Sequence, residues 1–469
     1  MFVYQILLVI GWFLLDSPPT TEPIDIGSRR ELFVDDFLVA SSDGVEQRLQ
    51  QPVARDIVIE HDEPWEGNTS SYHTVFRDGD TYRMYYRGSH HNPGERSTHE
   101  FACYAESPDG IHWTKPDLGL FEFQGSKQNN IIWDGVGDHN FVPFKDGNTD
   151  CPAEARYKAI GRGPGGLFAF QSPDGIHWSL MQEDPVITQG AFDSQNLAFW
   201  DDQRECYVEF HRQMRNGVRD IMTCTSTDFV NWTEPTFLEY PGSPAEHLYV
   251  NQILAYDRAP HIYLGFPKRF VPRRQSPVGH PLPGVSDTVL MSSRDGKHFH
   301  RWQEAWVRPG LQPDRWVCRN NLVAWGLVET DSNLRGGPQE ISQYVVEGYY
   351  QGTSCRVRRH SLRMDGFVSV NAPLTGGELV TRPLLFAGSQ LHINFSTSAA
   401  GSLRLELQDE QGQPIPGYSL DECDEIYGDQ IDQIVTWQSN SDLGQLASKP
   451  IRLRVELKDA DLYSFRFTK

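Results

Sequence analysis

The chain has 469 residues, with 63 Asp and Glu against 42 Lys and Arg and a formal net charge of −21. So acidic a balance excludes nucleic acid and an anionic membrane surface as natural partners, since both require a basic face, and the length exceeds one ordinary core, so two domains are expected. Aromatic residues make up 12% of the chain, including 12 Trp, a supply that suits blade packing and sugar stacking equally.

Residues 1–20, MFVYQILLVIGWFLLDSPPT, hold a run of about fourteen mostly apolar residues, too short to span a bilayer comfortably and followed by a Pro/Thr-rich polar stretch. A signal peptide or N-terminal anchor is expected there, making the protein secreted or periplasmic with no other membrane contact. No Lys or Arg precedes the run and no small-x-small cleavage site follows it.

From 25 to 370 the helical period is hard to find. Short apolar or alternating runs such as YRMYYRG (82–88), YVEFHR (207–212) and HIYLGFP (261–267) stand between Gly, Pro, Asn and Asp, so the fold class is all-β. SPDGIHW occurs twice, at 107–113 and 172–178. Looser copies follow as STDFVNW (226–232) and SRDGKHF (293–299), with SSDG at 41–44. Asp109-Gly110 supplies the positive φ of a tight turn, Ser107 hydrogen-bonds the turn backbone, and Trp113 covers it. Copies recurring every ~40–65 residues among short strands predict a radial repeat, a five-bladed β-propeller over 25–370.

Past Thr375 the strands become regular. Leu403, Leu405 and Leu407 alternate with Arg404 and Glu406, the pattern of a half-buried strand, and 375–469 is predicted to form a small C-terminal β-sandwich. The acidic loop GYSLDECDEIYGD (417–429) lacks the ligand spacing of a calcium site and is read as solvated. The seven cysteines, at 103, 151, 206, 224, 318, 355 and 423, show no CxxC. They are expected to be mostly buried and reduced, with no metal site and no cofactor.

In a propeller the residues just before each innermost strand converge on the axis although they are far apart in sequence. Those segments are EPWEGNTSSYHTVF (63–76), GDHNFVPF (137–144), GAFDSQNLAFW (190–200), AEHLYVNQILAY (245–256) and WVCRNNLVAW (316–325). Glu66, Asp138, Asp193 and Glu246 come from four of them and form the candidate catalytic set. Cleaving a glycosidic bond takes two carboxyl groups, one kept protonated and one ionised. Trp65, His73, Arg87, Asn140, Asn196, His247 and Arg319 are the candidate sugar-binding residues, through hydrogen bonds and ring stacking.

With these segments the chain resembles the five-bladed propellers of glycoside hydrolase families 32 and 43, above all the secreted bacterial group described as family 32 N-terminal-domain-like. LFVDDFLV, YRMYYRG, YAESPDGIHW, FDSQN and SRDG carry the likeness. It implies a glycosidase acting on an oligo- or polysaccharide, with three acids from the first three blades that correspond by position to Glu66, Asp138 and Asp193. The Asp-Pro-Asn, Arg-Asp-Pro and Glu-Cys motifs of the invertase-like enzymes are replaced here by WEGN, GDHN and FDSQN. Two other readings stand beside the hydrolase: a propeller that binds carbohydrate without turning it over, and a sialidase-like enzyme, which would need an arginine triad and a nucleophilic Tyr. FPKRFVPRRQ (266–275), with Arg269, Arg273 and Arg274, and then Arg315 and Arg319, raises the expectation of an acidic or sulfated sugar.

Overall fold

A computed structural model describes residues 22–92 and 99–469; the apolar leader lies outside them. No helix among the described residues is long and apolar enough to cross a membrane.

Five blades surround one axis. The first has strands Ser71–Asp78, Thr81–Ser89, Glu100–Ser107 and Ile131–Trp133, and the second has Val142–Lys145, Tyr157–Gly163, Gly166–Ser172 and Ser179–Leu180. The third has Leu197–Asp201, Cys206–Arg215, Val218–Ser226 and Thr236–Phe237. In the fourth, Leu254–Tyr256, Ala259–Gly265, Val285–Ser293 and His300–Val307 are joined by the short pair His247–Leu248 and Lys268–Val271. Pro267 interrupts the second strand between Gly265 and Lys268, since proline has no N–H for the ladder. The fifth blade combines Val328–Thr330, Glu340–Glu347 and Arg356–Arg363 with Val53–Glu60 from the start of the chain. That strand closes the ring and removes an open edge.

The repeated heptapeptide follows the third strand in each of the first four blades. The serine Oγ accepts from the backbone N–H three residues on at 2.9 Å at Ser107, Ser172, Ser226 and Ser293 alike. The glycine position is left-handed every time, with φ 73° at Gly110, 79° at Gly175 and 68° at Gly296, and Phe229 adopts 67° where the glycine is lost. Trp113, Trp178 and Trp232 each donate back to the carbonyl of that residue. Opposite each serine stands a tyrosine of the second strand, Tyr82, Tyr157, Tyr207 or Tyr263. These tyrosines clasp neighbouring blades. Tyr157 donates to Asp78 (2.6 Å), Tyr207 to Asp146 (2.7 Å) and Tyr263 to Asp201, each acid lying at or just past the end of the preceding blade's inner strand.

Two expectations need correction. SSDG at 41–44 is no blade turn: Val39–Asp43 is a strand paired with Gly377–Thr381. Nor does the propeller begin at 25, because Ile24–Gly27 pairs with Leu384–Phe386, Glu31–Leu32 with Arg452–Thr468, and Glu46–Leu49 with Val368–Ala372. The N-terminal strands complete the C-terminal β module, and the ring runs from Val53 to Arg363. These pairings unite segments more than 300 residues apart, which no local pattern encodes. In that module Gln390–Gln408 and Arg452–Thr468 pair along their lengths with a register shift between Thr397 and Ser402. Leu403, Leu405 and Leu407 are buried as alternation predicts, but Glu406 is buried too, beneath Arg454. The acids of the 417–429 loop serve its own turns: Glu422 accepts from Gly417 and Ser419, and Asp424 from Thr436 and Ser439. Asp365, buried after the third strand of the fifth blade, joins ring to module by accepting from Tyr256, Arg258 and Ser464. All seven cysteines are free, with Cys151 and Cys206 only partly buried.

Candidate functional site

Buried amides close the axis at mid-height. Gln252 donates to Gln195 Oε1 (2.8 Å) and to the Val323 carbonyl (2.6 Å), while Gln195 donates to the His73 carbonyl (3.0 Å). Four blades are thus tied across the centre, and two separate mouths remain. At the ends of the inner strands lies a cavity of about 420 Å³ lined by Phe76, Phe144, Phe199, Trp200 and Trp325. At their starts lies the mouth that holds Asp193. Four of the non-glycine residues with left-handed backbone lie at or just before the inner strands: Tyr72 (φ 57°), Gln252 (46°), Arg319 (70°) and Asn321 (62°). Such strain is characteristic of functional sites.

His139 is the centre of the acid cluster. Its Nε2 lies 3.0 Å from Asp193 Oδ1 and its Nδ1 2.8 Å from Glu100 Oε2. One imidazole therefore separates two carboxylates, no more than about 8 Å apart and inside the span that glycoside hydrolysis uses. The His139 bond, helped by Arg212 and Arg319, holds the Asp193 carboxyl well below the usual range, against its partial burial. Asp138 goes the other way. Partial burial, together with Glu100 and Asp134 nearby, pushes its carboxyl up to about 6. Acid/base catalysis uses one carboxyl raised and another lowered, and Asp138 and Asp193 differ in that sense.

Asn140 and Asn196 do not meet a sugar; both are buried and both position the Asp193 loop. Asn140 Nδ2 donates to the carbonyls of Phe192 (2.8 Å) and Ser194, and Asn196 Nδ2 to the same two at 3.2 and 3.1 Å. Arg87 does reach the site: it donates to Tyr349 Oη (2.9 Å), lies 3.6 Å from Glu100 and stacks over Tyr72 at 4.8 Å. Arg319 reaches it as well, donating to Tyr350 Oη at 2.6 Å.

The remaining expected residues fall elsewhere. Glu66 is fully buried, accepting from Tyr86 (2.5 Å) and Lys115 (2.7 Å) with His61 beside it at 3.5 Å. Burial would raise its carboxyl, but His61 and Lys115 outweigh it and bring it down to about 2. Its oxygens are spent within the protein, so the first-blade acid of the expected set is a structural one. Glu246 pairs with Arg269 (3.4 Å) and Arg301 (3.1 Å) in a separate recess with Arg215 and Tyr240. Trp65 donates to Asn130 and packs on Phe123, and His73 is buried against His61 at 2.9 Å. His247 accepts from the Arg219 N–H at 3.2 Å. Of the expected anion-binding arginines, Arg269 is held by Asp287 (2.7 Å) and Arg315 by Asn321 (2.7 Å) and Glu347 (3.4 Å).

Glu100, His139, Arg162, Arg212, Arg219 and Tyr249 complete the site and were not foreseen as site residues, while Lys268 belongs to the basic stretch FPKRFVPRRQ from which an acidic sugar was expected. A signal for four cations did exist. Five residues after each clasp tyrosine, Tyr82, Tyr157, Tyr207 and Tyr263, stands Arg87, Arg162, Arg212 or Lys268. One strand position thus carries a cation in four consecutive blades.

No family model and no curated protein matches the chain. Among solved structures it is similar to a glycoside hydrolase (12% identity, TM-score 0.43, covering 66% of this chain and 92% of the other). A fructofuranosidase from Schwanniomyces occidentalis complexed with fructosylnystose gives 12% identity and a TM-score of 0.41, covering 90% of this chain and 100% of the other. An endo-arabinase from Bacteroides thetaiotaomicron gives 10% and 0.39, covering 66% and 98%. The five-bladed ring itself rests on the strand pairing above.

Proposed function

We propose that the protein is a glycoside hydrolase acting at the Asp193 mouth of the propeller axis. The observation that carries this is the half-exposed Asp193 carboxylate held on His139, with Glu100 on the other nitrogen of that imidazole and Asp138, its carboxyl pushed up to about 6, next to His139 in the chain. In this reading Asp138 protonates the departing glycosidic oxygen. Asp193 supports the opposite face of the sugar, as nucleophile or by deprotonating water. Tyr350, part-exposed where Tyr72, Tyr249 and Tyr349 are buried, offers an aromatic edge with a hydroxyl to a sugar. The N-terminal apolar run supports export to the compartment where polysaccharides are met.

One observation favours carbohydrate binding without turnover: His139 occupies the gap between Glu100 and Asp193, where a water or substrate atom would sit. A panel of nitrophenyl glycosides and plant and algal polysaccharides, sialosides included, separates the readings. Sugar release by the wild type, lost in Asp193→Asn, is expected. Binding of a polysaccharide with no release from any panel member overturns the hydrolase in favour of the binding propeller.

A further inference from the structure

The Asp193 mouth is cationic on a strongly acidic chain. Arg212, Arg219 and Lys268 surround one ring, with their charged groups 4.7, 5.6 and 4.3 Å from the Tyr249 centroid. Arg319 adds a fourth charge close enough to depress Lys268. Among the described residues no carboxylate stands within 4.0 Å of any of these four cations. The nearest acid in electrostatic terms is Asp193, already bonded to His139.

Like charges so arranged repel. Burial and then the Arg319, Arg212 and Arg219 charges bring the Lys268 amine down to about 7. Arg212 is 92% buried at 8% exposure, and its Nε and Nη1 have no hydrogen-bond partner. Buried donors left unpaired are unfavourable, and a bound anion would satisfy them.

We infer that this cluster binds a negatively charged oxyanion on the bound sugar, a uronate carboxylate or a sulfate ester. Guanidinium forks match both groups in geometry and charge. The pattern has a topological basis, since Arg87, Arg162, Arg212 and Lys268 hold one strand position in successive blades. Strand alternation also explains why the buried Lys268 packs over Tyr249 while its neighbour Arg269 pairs with Asp287 and Glu246. The inference rests on the mouth being a carbohydrate site, but not on its being catalytic.

The test is calorimetric binding of matched pairs: each common hexuronic acid oligomer with its methyl-esterified form, and sulfated galactose and glucosamine with their unsulfated parents. Wild type, Asp193→Asn, Lys268→Met and the half-exposed Arg219→Gln are compared, the last guarding against misfolding at buried positions. At least one acid should bind about tenfold or more tightly than its neutral partner, as one charge-assisted bond provides. The preference should fall by a similar factor in Lys268→Met and Arg219→Gln and shrink with salt. The uronate and sulfate arms show which group is taken. Equal binding of acid and neutral partner, a preference untouched by both variants, or no acid bound at all overturns the inference. Hydrolysis of neutral glycans with no acid preference leaves the hydrolase standing without the anion site. An acid bound through the cluster but never cleaved leaves the anion site without the hydrolase.

Discussion

Asn140 holds Asp193 from both sides, its buried Nδ2 donating to the carbonyls of Phe192 and Ser194 that flank the acid. It reaches across from the second blade to the lead-in of the third, and its Oδ1 accepts from the Arg162 N–H at 2.8 Å. In Asn140→Ala both carbonyls lose a donor and Asp193 loses its alignment with His139. The expected result is a fall of roughly 10–100-fold in kcat with a smaller change in KM, the pattern of lost positioning. Equal loss in kcat and stability with rescue by Asn140→Gln absent would make it merely structural.

Activity should have an alkaline limb near pH 6. Asp138 acts as acid only while protonated, and its carboxyl is pushed up to about 6 by burial and by Glu100 and Asp134. Asp193, held low by His139, stays ionised through the acid range. kcat/KM should therefore decline as pH rises through about 6. With a nitrophenyl leaving group, which needs little protonation, Asp138→Asn should retain activity and lose the limb. A limb unmoved in that variant assigns the acid to another residue. The same shift affects stability: a carboxyl raised above its unfolded value of 3.8 contributes below that pH, and the contribution is lost as pH rises through about 6.

Phe229 carries a backbone conformation that costs an ordinary residue about 1–2 kcal/mol. Its ring is fully buried against Phe144, Tyr207 and Trp232, and removing a buried Phe costs about 3–5 kcal/mol. Packing outweighs strain. Phe229→Gly should lower Tm despite restoring the glycine of the other three turns, and Phe229→Ala should lower it further by keeping the strain. A glycine variant melting above the wild type would reverse that ranking.

The blade clasp is testable at Tyr207, whose hydroxyl donates to the buried Asp146 beside Lys158. Tyr207→Phe should cost about 1–2 kcal/mol, seen as a Tm lowered by a few degrees. Tyr427→Phe, at a side chain 73% exposed, should leave Tm unchanged. Equal melting of both variants would remove the clasp from the forces holding the blades.

Four of the blade turns were legible because their chemistry is local, whereas the fifth copy, SSDG, belongs to the C-terminal module and the fifth blade carries no such turn. Ser107, Asp109, Gly110 and Trp113 complete their bonds within seven residues, so the motif means the same wherever it recurs. Alternation likewise placed Leu403, Leu405 and Leu407 in a core. The convergence of pre-strand residues on the axis also followed from the repeat, and Asp193 was reached that way. What only the tertiary structure decided is which acids face the open mouth. Glu66 and Asp193 stand in similar places before their inner strands, yet Glu66 turns under Lys115 and Tyr86 while Asp193 meets His139, 54 residues away. Glu100, at the start of a third strand, joins them only because blades pack side by side. Closure of the fifth blade by Val53–Glu60, and of the C-terminal module by residues 24–49, likewise pairs segments about 300 residues apart or more. A backbone ladder accepts almost any side chain, so these partners leave no trace in sequence and are selected only when the ring closes.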